Sequence, residues 1–200
     1  MFARKYLDAA EQAVSSAVGR LDAVRKAAEI VVGTVTDGKR VFVADRLGIV
    51  ETELADKPGN LALFRSLSRS GETLATGDVL VVSSCVPDNS GDIEMVDAAR
   101  TLGARVIAIA PEGALSSKAD VALTMGGGDL NAIFPVEGVD RPFGPVSGIA
   151  NMLMFNMLQA ETAARLIASG KKPTVLPADY IPGGRGKRIE ALRAFDERKD

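Results

Sequence analysis

The stretch "VVSSCVPDNSGDIEMVDAARTLGARVIAIA", residues 81–110, gathers the groups with most chemical capacity in the chain. Ser83, Ser84, Asn89, Ser90 and Gly91 lie between an apolar run and a helical pattern. Hydroxyls, an amide and a glycine at a helix start suit an anion, because the first-turn N–H groups and the helix dipole point at that place. The same residues also make an ordinary polar turn that caps a helix from Asp92, and both readings stay open. Cys85 sits in the loop near the helix start, a setting that favours thiolate, although a lone cysteine is more often inert. Asp45 and Arg46 end the run "VFVAD", at the C-terminal end of a strand, where open α/β sheets bind ligands; charged residues there can equally be just solvated. Glu53 is a carboxylate able to act as a general base or to serve as a solvated helical residue or salt-bridge partner.

Composition removes several classes of function. The 200 residues contain no histidine, so there is no Ser-His-Asp triad and no imidazole ligand or general base. Proton transfer is left to Asp, Glu, Lys, Tyr or Cys85. A net charge of -2, no tryptophan and two tyrosines argue against nucleic acid. One cysteine permits no intrachain disulfide and fits a reducing compartment. The N-terminal "MFARKYLDAAEQAV" lacks the apolar core of a signal peptide, and no apolar run is long enough to span a membrane. These features predict a cytoplasmic protein with no metal and no cofactor.

The elements that must hold these residues follow from periodicity. Apolar positions Leu7, Ala10, Val14, Val18, Leu21 and Val24 predict one long amphipathic helix over 5–35, or a broken pair. Strands are expected at Val41–Asp45, Val79–Ser84, Arg105–Ala110 and Val121–Thr124, with a helix from about Asp92 to Leu102. A strand, helix and strand of these lengths make a right-handed parallel βαβ unit. Residues 58–77 read as weakly helical, and "AIFPV" as a short edge strand. "GGGDLN", Gly126–Asn131, lacks the Lys-Ser/Thr of a P-loop and reads as a flexible loop. Ser147 is the expected N-cap of a second long helix ending at Gly170. That helix is apolar nearly all round, and the Met152, Met154 and Met157 face predicts core or subunit packing. The tail from Lys171 carries prolines and a short charged helix. One domain over 1–200 is expected.

Taken in order, "DGKRVFVAD", "TGDVLVVSS", "IEMVDAARTLGARVIAIA", "KADVAL" and "GPVSGIANMLMFNMLQAETAARLI" resemble the sugar isomerase (SIS) domain, on its phosphoheptose-isomerase-like, phosphosugar-binding branch. The resemblance spans about residues 5–195. It implies a three-layer α/β sandwich of flavodoxin-like topology, with a five-stranded parallel sheet flanked by helices. It also implies a dimer or tetramer, or a hetero-oligomer with a SIS paralogue, that binds a sugar phosphate at subunit edges. The family's serine-rich phosphate loop begins at Ser84, but its second serine and its glycine fall on Val86 and Pro87. An alternative "NSG" stands at Asn89, Ser90 and Gly91. The family's Gly-x-Gly-His-Ser loop is replaced by Val43, Ala44, Asp45, Arg46 and Leu47, and its histidine partners have no counterpart. Glu53 stands where the family carries a glutamate.

Two functions follow. One is a sugar-phosphate aldose-ketose isomerase in which Glu53 removes the proton beside the carbonyl. In that frame Asp45 meets sugar hydroxyls, Arg46 a phosphate, and Ser147 reaches the ligand from a neighbouring edge. The other is a non-catalytic sugar-phosphate-binding subunit, favoured by the lost glycines and histidines. A nucleotide-binding fold fails for want of G-x-G-x-x-G after a strand.

Overall fold

The computed structural model describes residues 2–46, 51–55, 57–124 and 130–198. Helix α1 (Phe2–Ser16) passes through a 3-10 turn (Ala17–Arg20) into α2 (Leu21–Thr36), so the N-terminal pattern is the broken pair. Strand β1 (Val41–Ala44) follows, then α3 (Glu51–Ala55), β2 (Phe64–Ser66) and β3 (Val79–Ser83). After these come α4 (Ser90–Thr101), β4 (Arg105–Ile109), α5 (Ala114–Ser117) and β5 (Val121–Ala122), and finally α6 (Ser147–Ala168) and α7 (Gly184–Arg198).

The five strands form one sheet in the order β2-β1-β3-β4-β5, and every pairing is parallel. Parallel strands covered on both faces read as unbroken apolar runs, as "VFVA", "VLVV" and "VIAI" do. Alternation within each run divides the core. Val41, Val43, Val79, Val81, Ile107 and Ile109 pack under α2 and α6. Phe42, Ala44, Leu80, Val82, Val106 and Ala108 pack under α4 and α5. Helix against sheet against helix is the three-layer arrangement expected from the resemblance.

Three local expectations are corrected. Residues 58–77 are not helical: Phe64–Ser66 is the edge strand β2, in register with Val41–Val43. The run Leu61–Phe64 is wholly buried yet too short for a helix, and Gly59, Gly71 and Gly77 take positive φ around it, so sheet pairing overrides local preference. The segment "AIFPV" does not join the sheet; Phe134 makes an isolated antiparallel bridge to Phe143 and packs with the rings of Phe2 and Tyr6. Ser147 is not the N-cap of α6, because Val146 holds that position and Ser147 is the first helical residue. Gly126–Asp129 of the glycine-rich loop lie outside the described residues.

At the N-terminal end of the sheet, Asp78, Arg40, Glu72, Arg65 and Asp196 alternate in sign along a chain of ion pairs. It ties β1, β2 and β3 to α7. Asp78 is almost fully buried and also accepts the backbone N–H groups of Arg40 and Ala75. No helix among the described residues is long and apolar enough to cross a membrane.

Candidate functional site

In the order 2-1-3-4-5 the chain leaves β1 toward one edge and β3 toward the other, so the connections part above the β1/β3 pair. At such a switch point a crevice opens outside the C-terminal ends of the strands. Two segments singled out from the sequence converge there. Asp45 and Arg46 continue from β1, and Ser83–Gly91 run from β3 into α4.

The β3–α4 loop is built largely from its own hydrogen bonds. Ser83 and Ser84 are buried. Asn151, one turn into α6, donates from Nδ2 to Ser83 Oγ at 3.1 Å and to the Ser84 carbonyl at 3.1 Å. Ser84 Oγ lies 2.7 Å from Asp92 Oδ2 and 3.0 Å from the Val86 carbonyl, and it accepts the Val86 N–H at 3.2 Å. Ser147 Oγ donates to Asn131 Oδ1 at 2.7 Å, and Asn131 Nδ2 donates to the Cys85 carbonyl at 2.6 Å. The start of α6 therefore buttresses the loop from below. Cys85 is half-buried, its Sγ 3.9 Å from Asn151 Nδ2.

Helix α4 starts at Ser90, two residues before the expected Asp92. Asn89 is its N-cap, with Oδ1 accepting the Asp92 N–H at 3.1 Å. Ser90 and Gly91 are then the first two helical residues, whose N–H groups have no intrahelical acceptor. Over Gly91 lies the guanidinium of Arg46: a Cβ at position 91 would overlap Nη1, Cζ and Nε of that side chain. Arg46 is solvent-exposed while Gly91 beneath it is buried. A cation on the positive end of a helix is unfavourable by itself; the buried carboxylate of Asp92 in the same turn offsets part of that charge from within, and Arg46 faces solvent.

The carboxylates are arranged differently from the sequence reading. Glu51 is buried; its Oε1 accepts from the hydroxyls of Ser66 and Ser68 and from the Ser68 N–H, and its Oε2 accepts the Asp45 N–H. It welds the end of β1 to the end of β2. Glu53 is part-exposed, with Oε2 2.5 Å from Lys57 Nζ and a backbone carbonyl that takes Asn60 Nδ2 at 2.8 Å. The structure thus brings Glu51, not Glu53, to the strand ends. Asp45 is buried beside it.

Of the residues read from sequence, Arg46, Asn89, Ser90 and Gly91 stand together at the α4 start, while Ser83, Ser84 and Ser147 support it from within. Asp92, Asn131 and Asn151 were missed as parts of the loop. A partial signal existed for Asn151, which lies four residues after Ser147 and so shares its helical face. Among the described residues no group of three His, Cys, Asp or Glu side chains could hold a metal.

No family model matches the chain. A UPF0309 protein of Streptomyces avermitilis is 23% identical over 240 residues, spanning 94% of this chain and 96% of its own. A UPF0309 protein of Brucella anthropi is 31% identical over 147 residues, which cover 68% of this chain and 60% of its own. Among solved structures, a phosphoheptose isomerase from Francisella tularensis matches with a TM-score of 0.61 at 17% identity, covering 80% of this chain and 95% of that one. The phosphoheptose isomerase from Neisseria gonorrhoeae matches with a TM-score of 0.59 at 14% identity, covering 81% and 97%. The Vibrio vulnificus NanR protein, solved in complex with ManNAc-6P, matches with a TM-score of 0.50 at 13% identity, covering 98% and 70%. At such identities the likeness is one of fold, and the fold is that of the sugar isomerase domain the sequence resembles.

Proposed function

We propose that the protein binds a sugar phosphate at the C-terminal ends of β1 and β3, and that it does so as a binding subunit, not as an isomerase. The phosphate lies at the start of α4, held by the guanidinium of Arg46, the Ser90 hydroxyl and the N–H groups of Ser90 and Gly91. The sugar extends along the crevice toward Asp45. Asn89, Ser83, Ser84 and Ser147 keep the loop in shape. The observation that carries this reading is Arg46 resting on Gly91 at a helix N-terminus, two positive elements in contact with solvent. A phosphate ester supplies the anion that relieves them. The fold relatives fit this reading, since one of them was solved with ManNAc-6P bound.

Catalysis is the weaker reading on the chemistry of the carboxylates. An isomerase base must reach the proton it removes. Glu53 is engaged by Lys57, and Glu51 already accepts four hydrogen bonds, three of them at Oε1. The chain has no histidine to assist ring opening.

The test is a thermal-shift panel of sugar phosphates, the matching unphosphorylated sugars and inorganic phosphate. A ligand at 100 times its dissociation constant stabilises by about 2.7 kcal/mol. Stabilisation by at least one phosphorylated sugar and by none of its unphosphorylated partners is expected. Equal responses to both forms refute the phosphate site. For the hit, incubation in heavy water decides catalysis: deuterium placed on C1 or C2 by the wild type and lost in Glu53→Gln restores the isomerase.

A further inference from the structure

Asp92 is 4% exposed and occupies the third position of α4. Its Oδ2 lies 2.7 Å from Ser84 Oγ, so the carboxylate is turned inward onto the β3–α4 loop. Its Oδ1 is buried and has no hydrogen-bond partner among the described residues. A buried carboxylate oxygen without a hydrogen-bond partner is costly, and the N-terminus of α4 supplies compensating potential there.

The consequence for a ligand is specific. Ser84 is the hydroxyl that begins the loop, and its single proton is shared between Asp92 Oδ2 and the Val86 carbonyl, while its oxygen accepts the Val86 N–H. Nothing of it remains for an incoming anion. The fixed negative charge of Asp92 also opposes a second anion at the same helix turn.

We propose that Asp92 is a resident anion that fills the inner part of the seat at α4 and sets the specificity of the site. It confines a ligand's phosphate to the outer part, over Ser90, Gly91 and Arg46, and holds down affinity for the phosphate group itself. Discrimination among phosphorylated ligands then falls to their sugar portions. This inference rests on the sugar-phosphate reading of the same site.

The test measures binding of inorganic phosphate to the full chain by calorimetry. Asp92→Asn keeps shape and removes charge, and Asp92→Ser is a second neutral variant should the first fold poorly; circular dichroism checks both. Removing one nearby charge from a partly screened site is expected to tighten phosphate binding about tenfold. In the Asp92→Asn background, where the Ser84 hydroxyl is released from the carboxylate, Ser84→Ala removes part of the gain. Folded neutral variants that bind phosphate no tighter than wild type overturn the role of Asp92 while leaving the sugar-phosphate reading intact. If inorganic phosphate and the sugar-phosphate panel bind neither wild type nor variants, the reading of the site falls, and this inference with it.

Discussion

Replacing Gly91 with alanine separates binding from stability at the proposed site. Gly91 is the second residue of α4, with no positive φ, and the three atoms nearest an added Cβ all belong to the guanidinium of Arg46. That guanidinium is the far end of a flexible, exposed side chain, so it swings aside at little cost. Alanine is also a better helix residue than glycine by about 0.5–1 kcal/mol in a helix interior. The two effects oppose each other, and Gly91→Ala should change the urea unfolding midpoint by less than about 1 kcal/mol in either direction. Binding behaves differently. A hydrogen bond to a charged group contributes roughly 1.5–3 kcal/mol, so displacing Arg46 from the phosphate should weaken the ligand found in the sugar-phosphate panel by about ten- to a hundredfold. Arg46→Gln should match that loss, and the double variant should lose little more, since both remove one interaction. Calorimetry on the three variants beside wild type gives the cycle. Full affinity in Gly91→Ala refutes the placement of Arg46 in the site, and additive losses refute the claim that Gly91 acts through Arg46.

Other outcomes follow from the rest of the molecule. Burial by itself raises the Glu72 carboxyl, but hydrogen bonds and charge from Arg65 and Arg40 outweigh it and hold the group below its ordinary value of 4.5. A depressed folded value means the stabilisation is complete above that ordinary value and is lost as pH falls through the depressed one. Urea titrations from pH 7 to pH 3 should show Glu72→Gln with a shallower loss than wild type, and parallel curves would sink the argument. Leu7, Val14, Val18 and Leu21 stand exposed along α1, the 3-10 turn and α2, Val18 to 69%. We predict a stable oligomer by light scattering at micromolar concentration, shifted toward monomer by Val18→Asp; a monomeric wild type refutes it. Phe155 is fully buried, its ring edge-on to Phe64 at 4.9 Å, and Phe155→Ala should cost about 3–5 kcal/mol by urea unfolding. A loss below about 1 kcal/mol would show that α6 is not packed onto the sheet in this way.

The parts of the fold that were legible are those where one physical demand dominates. Strands buried on both faces read as apolar runs, as β1, Val79–Val82 of β3 and Val106–Ile109 of β4 do. The N-terminal helical pair is long enough for a 3.6-residue period to stand out, and α6 shows as a long apolar stretch ending at a glycine. β2 was illegible because three residues at an edge carry no period. Its identity comes from pairing with β1 and from Ser66 at its end and Ser68 just beyond, which meet Glu51. The cap of α6 misled for a related reason: serine is a good capping residue in general, but Ser147 spends its hydroxyl on Asn131, sixteen residues away.

The site was half legible, and the missing half is the informative one. Sequence spacing located the loop after β3, since hydroxyls and a glycine before a helix are a local signal. It gave no way to tell hydroxyls that face a ligand from hydroxyls that hold the loop, because that depends on Asn151 and Asp92, which reach Ser83 and Ser84 from other elements. The choice between Glu51 and Glu53 shows the same limit. Two residues apart on a short helix, they point in different directions, one to Ser66 at the end of β2 and to Ser68, the other outward to Lys57. Among the described residues, Glu53 is held outward in an ion pair and Glu51 inward by four hydrogen bonds. Beside them stands the start of α4 with Arg46 upon it, the feature on which the proposed anion site rests.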